Sequence, residues 1–179
     1  MARLPPIDLD ALTEDQKSIV ADRPSRAHEG PHTIWLRRPE LMKMANHMMG
    51  WLRRGGVSVP PRLAELTIII AARAFDAPFA WHSHARQAHE AGISADVIEA
   101  IRTRATPIFD NADEAMIYDF TTQLLERRAV TDETYGRVLS MWGEDFLIDL
   151  VNLIGCYMMI GANLAAFQVD APDGSRPLD

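Results

Sequence analysis

The chain is short of cysteine and of basic residues, and each shortage argues against a class of protein. Cys156 is the one cysteine among 179 residues, so no disulfide can form within the chain. It lies in an apolar run, where a free thiol behaves as a small hydrophobic residue. Lys and Arg number 18 against 25 Asp and Glu, which gives a net charge of −7. This balance opposes binding to nucleic acid or to an anionic membrane, because both require clustered cations.

Strand patterns and targeting segments are also missing. No stretch of useful length alternates apolar and polar residues, so we expect an all-α fold of about seven or eight helices. The N-terminus lacks the apolar core of a signal peptide, and together with the single thiol this predicts a cytoplasmic protein. The apolar stretch Leu153–Phe167 is shorter than the ~20 residues of a membrane span, and we interpret it as a buried helix.

The length predicts one domain over residues 1–179, with a core at about 12–168 and flexible ends. A helix is expected to begin at Pro39 and end at about Arg54. Its apolar residues repeat at helical spacing and are predicted to face the core: Leu41, Met44, Ala45, Met48 and Met49. The last helix, from about Glu144 to Phe167, is apolar on nearly every face beyond Leu153. Such a helix is either central to the core or covered by another subunit.

The stretch from Pro60 to Gly92 predicts two helices in tandem, broken at about Asp76–Pro78. Glu65 is the anomaly in the first helix, because it shares a face with apolar residues that should point into the core. One interpretation is structural, with Glu65 bound to a backbone amide or paired with Arg62 one turn earlier. The other is functional: burial raises the pKa of Glu65 until it exchanges protons near neutrality.

The second helix carries three histidines within eight residues, at positions 82, 84 and 89. His84 shares a face with Trp81 and Gln87. A lone histidine there is more often a core residue with its hydrogen bonds satisfied. Small residues beside Trp81 and a carboxylate from the preceding helix instead favour a pocket, because small, aromatic and ionisable groups together are typical of one.

Metal binding and nucleophilic catalysis have little support in the sequence. His82 and His84 lie about 200° apart around a helix, so they cannot bind one ion together. The sequence HEAGI lacks the second histidine of H-E-x-x-H, and no cysteine pair exists. No G-x-S-x-G motif is present either. We therefore expect neither a metal nor another cofactor. His32 follows a Gly-Pro turn and could reach a pocket, although a surface position is the simpler interpretation.

The ordered series RRPELMKMANHMMGWLR, PRLAELTIIIAARAF, AWHSHARQAHEAGIS with VIEAI, and LVNLIGCYMMIGANL resembles the carboxymuconolactone decarboxylase family, which includes the alkylhydroperoxidase D-like proteins. The likeness covers roughly residues 12–170. It implies an alkylhydroperoxidase D-like helical fold with a central antiparallel helix pair. It also implies a homo-oligomer, a trimer or hexamer, with active sites near subunit interfaces.

The resemblance also assigns site residues. The peroxidase branch of the family has a Cys-x-x-Cys pair, a histidine four residues later, and a glutamate on the preceding helix. The glutamate corresponds to Glu65 and the histidine to His84, whereas the cysteine positions fall on Ala77 and Ala80. Thiol-dependent peroxide reduction should therefore be absent. The decarboxylase-like branch commonly has an acidic residue before the tryptophan, where this chain has Ala80.

These observations lead us to expect a cofactor-independent lyase that acts on a small cyclic carboxylated lactone or carbonyl compound from aromatic degradation. His84 would donate a proton, Glu65 would orient or reprotonate it, and Trp81 and His82 would line the pocket. Arg62 or His32 would hold a substrate carboxylate. Two alternatives remain open: a non-catalytic oligomeric protein that binds small molecules, and an isomerase or retro-aldol enzyme that uses the same pair.

Overall fold

The computed structural model describes residues 2–22, 29–54 and 58–179. These residues form a short 3-10 helix at Leu9–Ala11 and eight α-helices, with no strand among them, so the prediction of an all-α fold of seven or eight helices is confirmed. The helices are α1 (Glu14–Asp22), α2 (His32–Trp35), α3 (Pro39–Arg54), α4 (Pro61–Ala74), α5 (Pro78–Glu90), α6 (Ala95–Thr103), α7 (Ala112–Arg127) and α8 (Asp132–Phe167).

Helix α4 is the centre of the molecule. It packs against α5, α6, α7 and α8, and every residue from Leu63 to Ala72 is buried. The sequence explains this position, because LAELTIIIAA offers no polar side to water. Glu65 lies within this buried run, so its carboxylate requires partners inside the protein.

Helices α4 and α5 are joined by three residues, so the chain reverses direction and the two helices pack as antiparallel neighbours. Asp76 in this connection has a left-handed φ of 45° and accepts hydrogen bonds from Arg73 and Arg104. Gly92, with φ 105°, ends α5 as predicted: its N–H bonds to the His89 carbonyl at 3.0 Å. The central antiparallel pair is confirmed.

Helix α8 contains a break at Gly143, where φ is 84° and ψ is −178°. The second half therefore begins at Glu144, as the sequence predicts, and buries one face against α4, α7 and α3. By length and composition α8 could cross a membrane, a property that core helices share. Its Ile148 and Val151 remain exposed to solvent.

Helix α3 differs from the prediction in which of its faces meets the core. The buried residues are Met42, Ala45 and Leu52, with Met49 partly buried. Of the predicted core residues, Leu41, Met44 and Met48 are 40%, 64% and 37% exposed, and Trp51 beside them is 54% exposed. The helix has two apolar stripes offset by one residue, and periodicity alone cannot tell which one the neighbouring helices cover.

Both chain ends pack against the helices, where flexible ends were expected. The N–H and the Nη1 of Arg3 each donate at 2.9 Å, to the carbonyls of Phe167 and Ala166. These carbonyls end α8 and have no partner within the helix, so Arg3 satisfies them. Near the C-terminus, Ala171 is buried and the Pro177 carbonyl accepts from Arg102 at 3.3 Å.

Gly161 permits the close contact between α8 and the end of α4. A Cβ at this position would lie 2.7 Å from Cγ of Phe75, closer than packed atoms approach. We expect Gly161→Ala to lower the free energy of unfolding by about 1–3 kcal/mol, because the Phe75 ring must move. Urea unfolding followed by circular dichroism measures the change.

Gly155→Ala is the matched control, because Gly155 lies in the same helix and a Cβ there meets nothing within 4 Å. Its free energy of unfolding should stay constant or rise by up to about 1 kcal/mol, since alanine favours helix over glycine. Equal effects of the two substitutions would contradict the packing explanation.

Candidate functional site

A cavity of about 280 Å³ opens between helices α2, α3, α5 and α8. Its wall combines apolar groups with histidine, arginine and tyrosine, a mixture typical of a small-molecule site. The lining residues are Glu29, Pro31, His32, Met49, Arg53, Phe79, Ala80, His82, Ser83, His84, Arg86, Gln87, Tyr157, Ile160 and Pro172.

A buried pair of ionisable side chains lies at this cavity. Nδ1 of His84, on α5, is 2.7 Å from Oε2 of Glu65, on α4, and each residue is 8% exposed. An ionised carboxylate only accepts hydrogen bonds, so Nδ1 carries a proton and donates it to Glu65. This bond fixes the ring, and the structure therefore brings together the two residues predicted as the catalytic pair.

Tyr157 of α8 completes the surroundings of the histidine. Its hydroxyl is 3.3 Å from Nε2 of His84, and the two rings meet edge to face with centroids 5.3 Å apart. With Nδ1 protonated, Nε2 of a neutral His84 accepts from the tyrosine, whereas Nε2–H of an imidazolium donates to it. The arrangement accommodates both protonation states of His84.

Arg53, at the end of α3, holds the other oxygen of Glu65. Its Nη2 donates to Oε1 of Glu65 at 3.1 Å and to Oε1 of Gln87 at 3.0 Å. Gln87 in turn donates to the Ser83 carbonyl at 2.6 Å, which fixes its amide orientation. Each oxygen of the buried carboxylate therefore has a charged or polar donor of its own.

These partners shift the pKa of Glu65 in the direction opposite to the prediction. Burial alone would raise the pKa of this carboxyl, but the hydrogen bond and charge of His84 and the Arg53 guanidinium outweigh it and hold the pKa below its ordinary value of 4.5. The expectation of a raised pKa was wrong, because it considered burial without the hydrogen bonds and charges that His84 and then Arg53 offer to the carboxylate. Glu65 is an ionised partner of His84 near neutrality.

His32 and His82 both line the cavity. His32 Nε2 lies 3.1 Å from Oδ1 of Asn46, and its ring meets Trp35 edge to face at 6.2 Å. His82 is exposed, and its Nδ1 lies 3.6 Å from Oδ2 of Asp173 in the C-terminal segment. Both histidines are positioned to contact a bound molecule.

Trp81 and Arg62 lie elsewhere, in contrast to their predicted roles. Trp81 is 3% exposed in the core and is not among the lining residues. Arg62 pairs with Asp113, at 2.5 Å, and with Glu114, both at the start of α7. The structural interpretation that paired Arg62 with Glu65 was therefore wrong, because Arg62 points toward α7 rather than along its own helix.

The structure gives no support to thiol chemistry. Burial raises the pKa of the Cys156 thiol to about 11, despite the nearby positive charge of Arg53, so the thiol is protonated near neutrality. Ala77 is fully buried and Ala80 lines the cavity with a methyl group. Over residues 2–22, 29–54 and 58–179, no three His, Cys, Asp or Glu side chains cluster as a metal site.

Arg53, Gln87 and Tyr157 are the site residues that sequence reasoning missed or left without a role. Tyr157 had a detectable signal, since it is the one phenol in the apolar stretch LVNLIGCYMMIGANL. Arg53 had none, because an arginine near the end of a helix is ordinarily a solvated residue. Its contact with Glu65 depends on how α3 packs.

The lowered pKa of Glu65 predicts a pH-dependent contribution to stability. A carboxyl whose pKa is lower in the folded protein stabilises it above the unfolded pKa, and this contribution is lost as the pH falls through the folded pKa. At about pH 7, Glu65→Gln should lower the free energy of unfolding by about 1–3 kcal/mol, because charged hydrogen bonds are lost. The difference from wild type should shrink below pH 4.5.

Glu99→Gln is the control in the same urea titrations. Glu99 also has a lowered pKa, from its hydrogen bond with Arg102, but its side chain is 59% exposed. Its effect should be smaller than that of Glu65→Gln and should disappear in high salt. A Glu65→Gln effect of equal size at about pH 3 and about pH 7 would contradict the lowered pKa.

The chain is similar to a known protein family in sequence and to solved structures in fold. Residues 39–123 match the profile of the carboxymuconolactone decarboxylase family. This stretch includes Arg53, Glu65, His84 and Gln87, whereas His32 and Tyr157 lie outside it. No curated protein matches the chain.

Two solved structures share the fold. An uncharacterized peroxidase-related protein from Silicibacter sp. TM1040 superposes with a TM-score of 0.76 and 12% identity, over 94% of this chain and 90% of that one. The second is described as an alkylhydroperoxidase AhpD core, an uncharacterized peroxidase-related protein from Ralstonia eutropha JMP134. Its TM-score is 0.77 at 12% identity, over 96% of this chain and 93% of that one. At this identity the likeness shows the fold alone.

Proposed function

We propose that this chain is a cofactor-independent lyase that decarboxylates a small cyclic carboxylated lactone, since residues 39–123 match the profile of the carboxymuconolactone decarboxylase family. The observation that carries the proposal is the Glu65–His84 pair at the cavity, with Tyr157 beside Nε2. An oriented histidine with an ionised carboxylate behind it is suited to moving one proton.

The reaction requires one proton and no external electron sink. The bond between the ring γ-carbon and its carboxylate breaks, and CO₂ leaves. The electron pair moves through the ring double bond to the lactone carbonyl, which becomes a dienolate oxyanion. A proton added to the α-carbon restores the carbonyl, so substrate and one proton give an enol lactone and CO₂. The lactone itself accepts the electrons, and the protein supplies position and charge.

His84 is the proton donor in this scheme. As an imidazolium it donates Nδ1–H to Glu65 and presents Nε2–H at the cavity. The ionised Glu65 stabilises the positive ring, and Tyr157 can donate a hydrogen bond to the oxyanion. After the transfer, His84 regains its proton from solvent. Met49, Phe79 and Ile160 supply apolar wall, which strengthens these charge interactions.

A proton-transfer isomerase is a second candidate, supported by the same geometry. A neutral His84 that donates Nδ1–H to Glu65 offers the lone pair of Nε2 as a base. Such an enzyme would shift a double bond in a cyclic carbonyl compound without releasing CO₂. The intact pair favours either enzyme over a purely binding protein, which has no need for an oriented proton donor.

Turnover of γ-carboxymuconolactone, followed by ultraviolet absorbance and by CO₂ release without added metal or thiol, tests the proposal. The wild type should release one CO₂ per substrate. His84→Asn should lower kcat by roughly 10²–10⁴-fold, because general acid catalysis typically contributes a rate enhancement of that magnitude. Loss of substrate without CO₂ would favour the isomerase.

His89→Asn is the matched control, since it makes the same substitution on the same helix outside the cavity lining. Nδ1 of His89 lies 3.3 Å from the Ile93 carbonyl at the end of α5. Its kcat should stay within about threefold of wild type, since effects remote from the chemistry stay small when the fold holds. Full turnover by a folded His84→Asn protein would overturn the role of His84.

We further propose that the protein is a homo-oligomer, a trimer or hexamer, in which a second copy covers the exposed stripe of α3. Leu41, Met44, Met48 and Trp51 form one apolar face, and α3 ends at Arg53 beside the cavity. An apolar face of this kind is typical of an interface, and identical chains bring identical patches to each other.

Met44→Glu should dissociate the oligomer, because it places a charge within the apolar stripe. Size-exclusion chromatography with light scattering measures the mass. Ile108→Glu is the control, since Ile108 is 89% exposed in the loop between α6 and α7, and its oligomer should persist. A monomeric wild type would contradict the proposal.

A further inference from the structure

The carboxylate of Glu65 lies between two cationic groups of different kinds. Its Oε2 accepts from Nδ1–H of His84 at 2.7 Å, and its Oε1 accepts from Nη2 of Arg53 at 3.1 Å. An imidazole gains and loses its charge near neutrality, whereas a guanidinium keeps its charge. The three side chains therefore carry a net charge of +1 when His84 is an imidazolium and no net charge when it is neutral.

This arrangement opposes the positive form of His84 in two ways. A carboxylate with a histidine as its sole partner would strongly stabilise the imidazolium, because an opposite charge at short range favours the charged form. Arg53 binds the same carboxylate and offsets part of its charge, and the guanidinium also repels a second cation nearby. A histidine that holds its proton too tightly is a weak acid, and general acids work best when they titrate near the operating pH.

The charge of Arg53 is fixed in place and partly withdrawn from water. Its Nη2 also donates to Oε1 of Gln87 at 3.0 Å, and the Gln87 amide donates to the Ser83 carbonyl at 2.6 Å. The Arg53 side chain is 24% exposed. Its charge also acts on the Cys156 thiol: burial raises the pKa of that thiol to about 11, and Arg53 opposes the rise. The same charge therefore reaches His84 across the shared carboxylate.

Other titratable groups surround the cavity that His84 lines, and water screens the fixed charges among them. Arg86, on the same helix, is 76% exposed and pairs with Glu90 at 2.8 Å. Glu29, before α2, is exposed. The other titratable lining groups are a tyrosine of α8 and two histidines, of α2 and α5: Tyr157, His32 and His82. Arg53 is therefore the partly buried cation of this wall, and it is the one that shares a carboxylate with His84.

We propose that Arg53 is a positioning residue that acts through Glu65: its fixed charge weakens the hold of His84 on its proton, so that both forms of the histidine are populated near neutrality. In each cycle the Nε2–H bond breaks as the proton passes to the substrate carbon, and the neutral His84 regains a proton from solvent. The use of this proton in decarboxylation rests on the proposed function. The effect of Arg53 on the titration of His84 does not.

NMR of the protein with isotope-labelled histidine measures the titration of His84 without any turnover, and the loss of one signal in His84→Asn assigns it. The wild-type midpoint should lie between about pH 6 and pH 8. Arg53→Gln should raise the midpoint by roughly one to two pH units, because the charge is lost while an amide can still donate to Glu65. Arg53→Lys keeps the charge, so its midpoint should stay within about half a pH unit of wild type.

Arg86→Gln is the matched control, because it removes the same charge from the wall of the same cavity at an exposed position. Its midpoint should stay within about 0.3 pH units of wild type, since water and salt screen exposed charges. Thermal unfolding checks that each variant is folded. Arg53→Met, which lacks both the charge and the donor, should raise the midpoint at least as much and replaces Arg53→Gln if that variant does not fold.

A midpoint that Arg53→Gln leaves unchanged or lowers would overturn the proposal. So would a wild-type midpoint outside the expected range. An equal rise in Arg53→Lys and Arg53→Gln would also overturn it, because altered geometry rather than lost charge would then explain the change.

The pH dependence of kcat connects this titration to the reaction. The lyase requires the imidazolium, so its kcat should fall as the pH rises through the His84 midpoint, and Arg53→Gln should move this fall to higher pH by the same interval. A kcat that instead rises through a midpoint shifted in the same way would uphold the role of Arg53 and mark His84 as the base of an isomerase. The expected midpoint shift without any decarboxylation would uphold that role and reject the proposed reaction. Decarboxylation with an unshifted Arg53→Gln midpoint would do the reverse.

Discussion

The carboxylate of Glu65 is the interaction on which the site depends. It lies within the buried helix α4, where an unpaired charge would cost several kcal/mol, and it is stabilised there by donors from two other helices. His84 comes from α5 and Arg53 from α3, at 2.7 and 3.1 Å. The cost of burying one charge therefore fixes how three helices meet. The same contacts orient the histidine, so a structural requirement and a chemical one are satisfied together.

The opposing effects of burial and of ion pairing on the pKa of Glu65 determine its protonation state and therefore its chemical role. Burial raises the pKa of a carboxyl, whereas a cation and a hydrogen-bond donor lower it, and here the partners prevail. A carboxyl with a lowered pKa is a poor general acid near neutrality but a good partner for an imidazolium. The proton that moves during the proposed reaction therefore belongs to His84. The hydroxyl of Tyr157, a neutral group, lies 3.3 Å from Nε2 of this histidine.

The fold is shared with two proteins described as peroxidase-related, yet this chain lacks the chemistry of a thiol pair. Its single cysteine is buried with a pKa of about 11, and alanine methyl groups occupy the two positions that correspond to the cysteines of the peroxidase branch. The Glu65–His84 pair is present, but no sulfur nucleophile accompanies it among the described residues. A helical scaffold of this kind thus separates proton transfer from thiol chemistry, since each depends on different side chains.

Much of the architecture was determined by the sequence itself, because it depends on neighbours along the chain. The continuous apolar run of α4, the glycine at 92 that ends α5 and the break before Glu144 are local features, and each was predicted. The pairing of Glu65 with His84 followed from two adjacent helices. Only the tertiary structure decided which apolar stripe of α3 is buried, which direction Arg62 takes, and that Arg53 and Tyr157 reach the site. These depend on packing between segments distant in sequence, and helical periodicity carries no information about it.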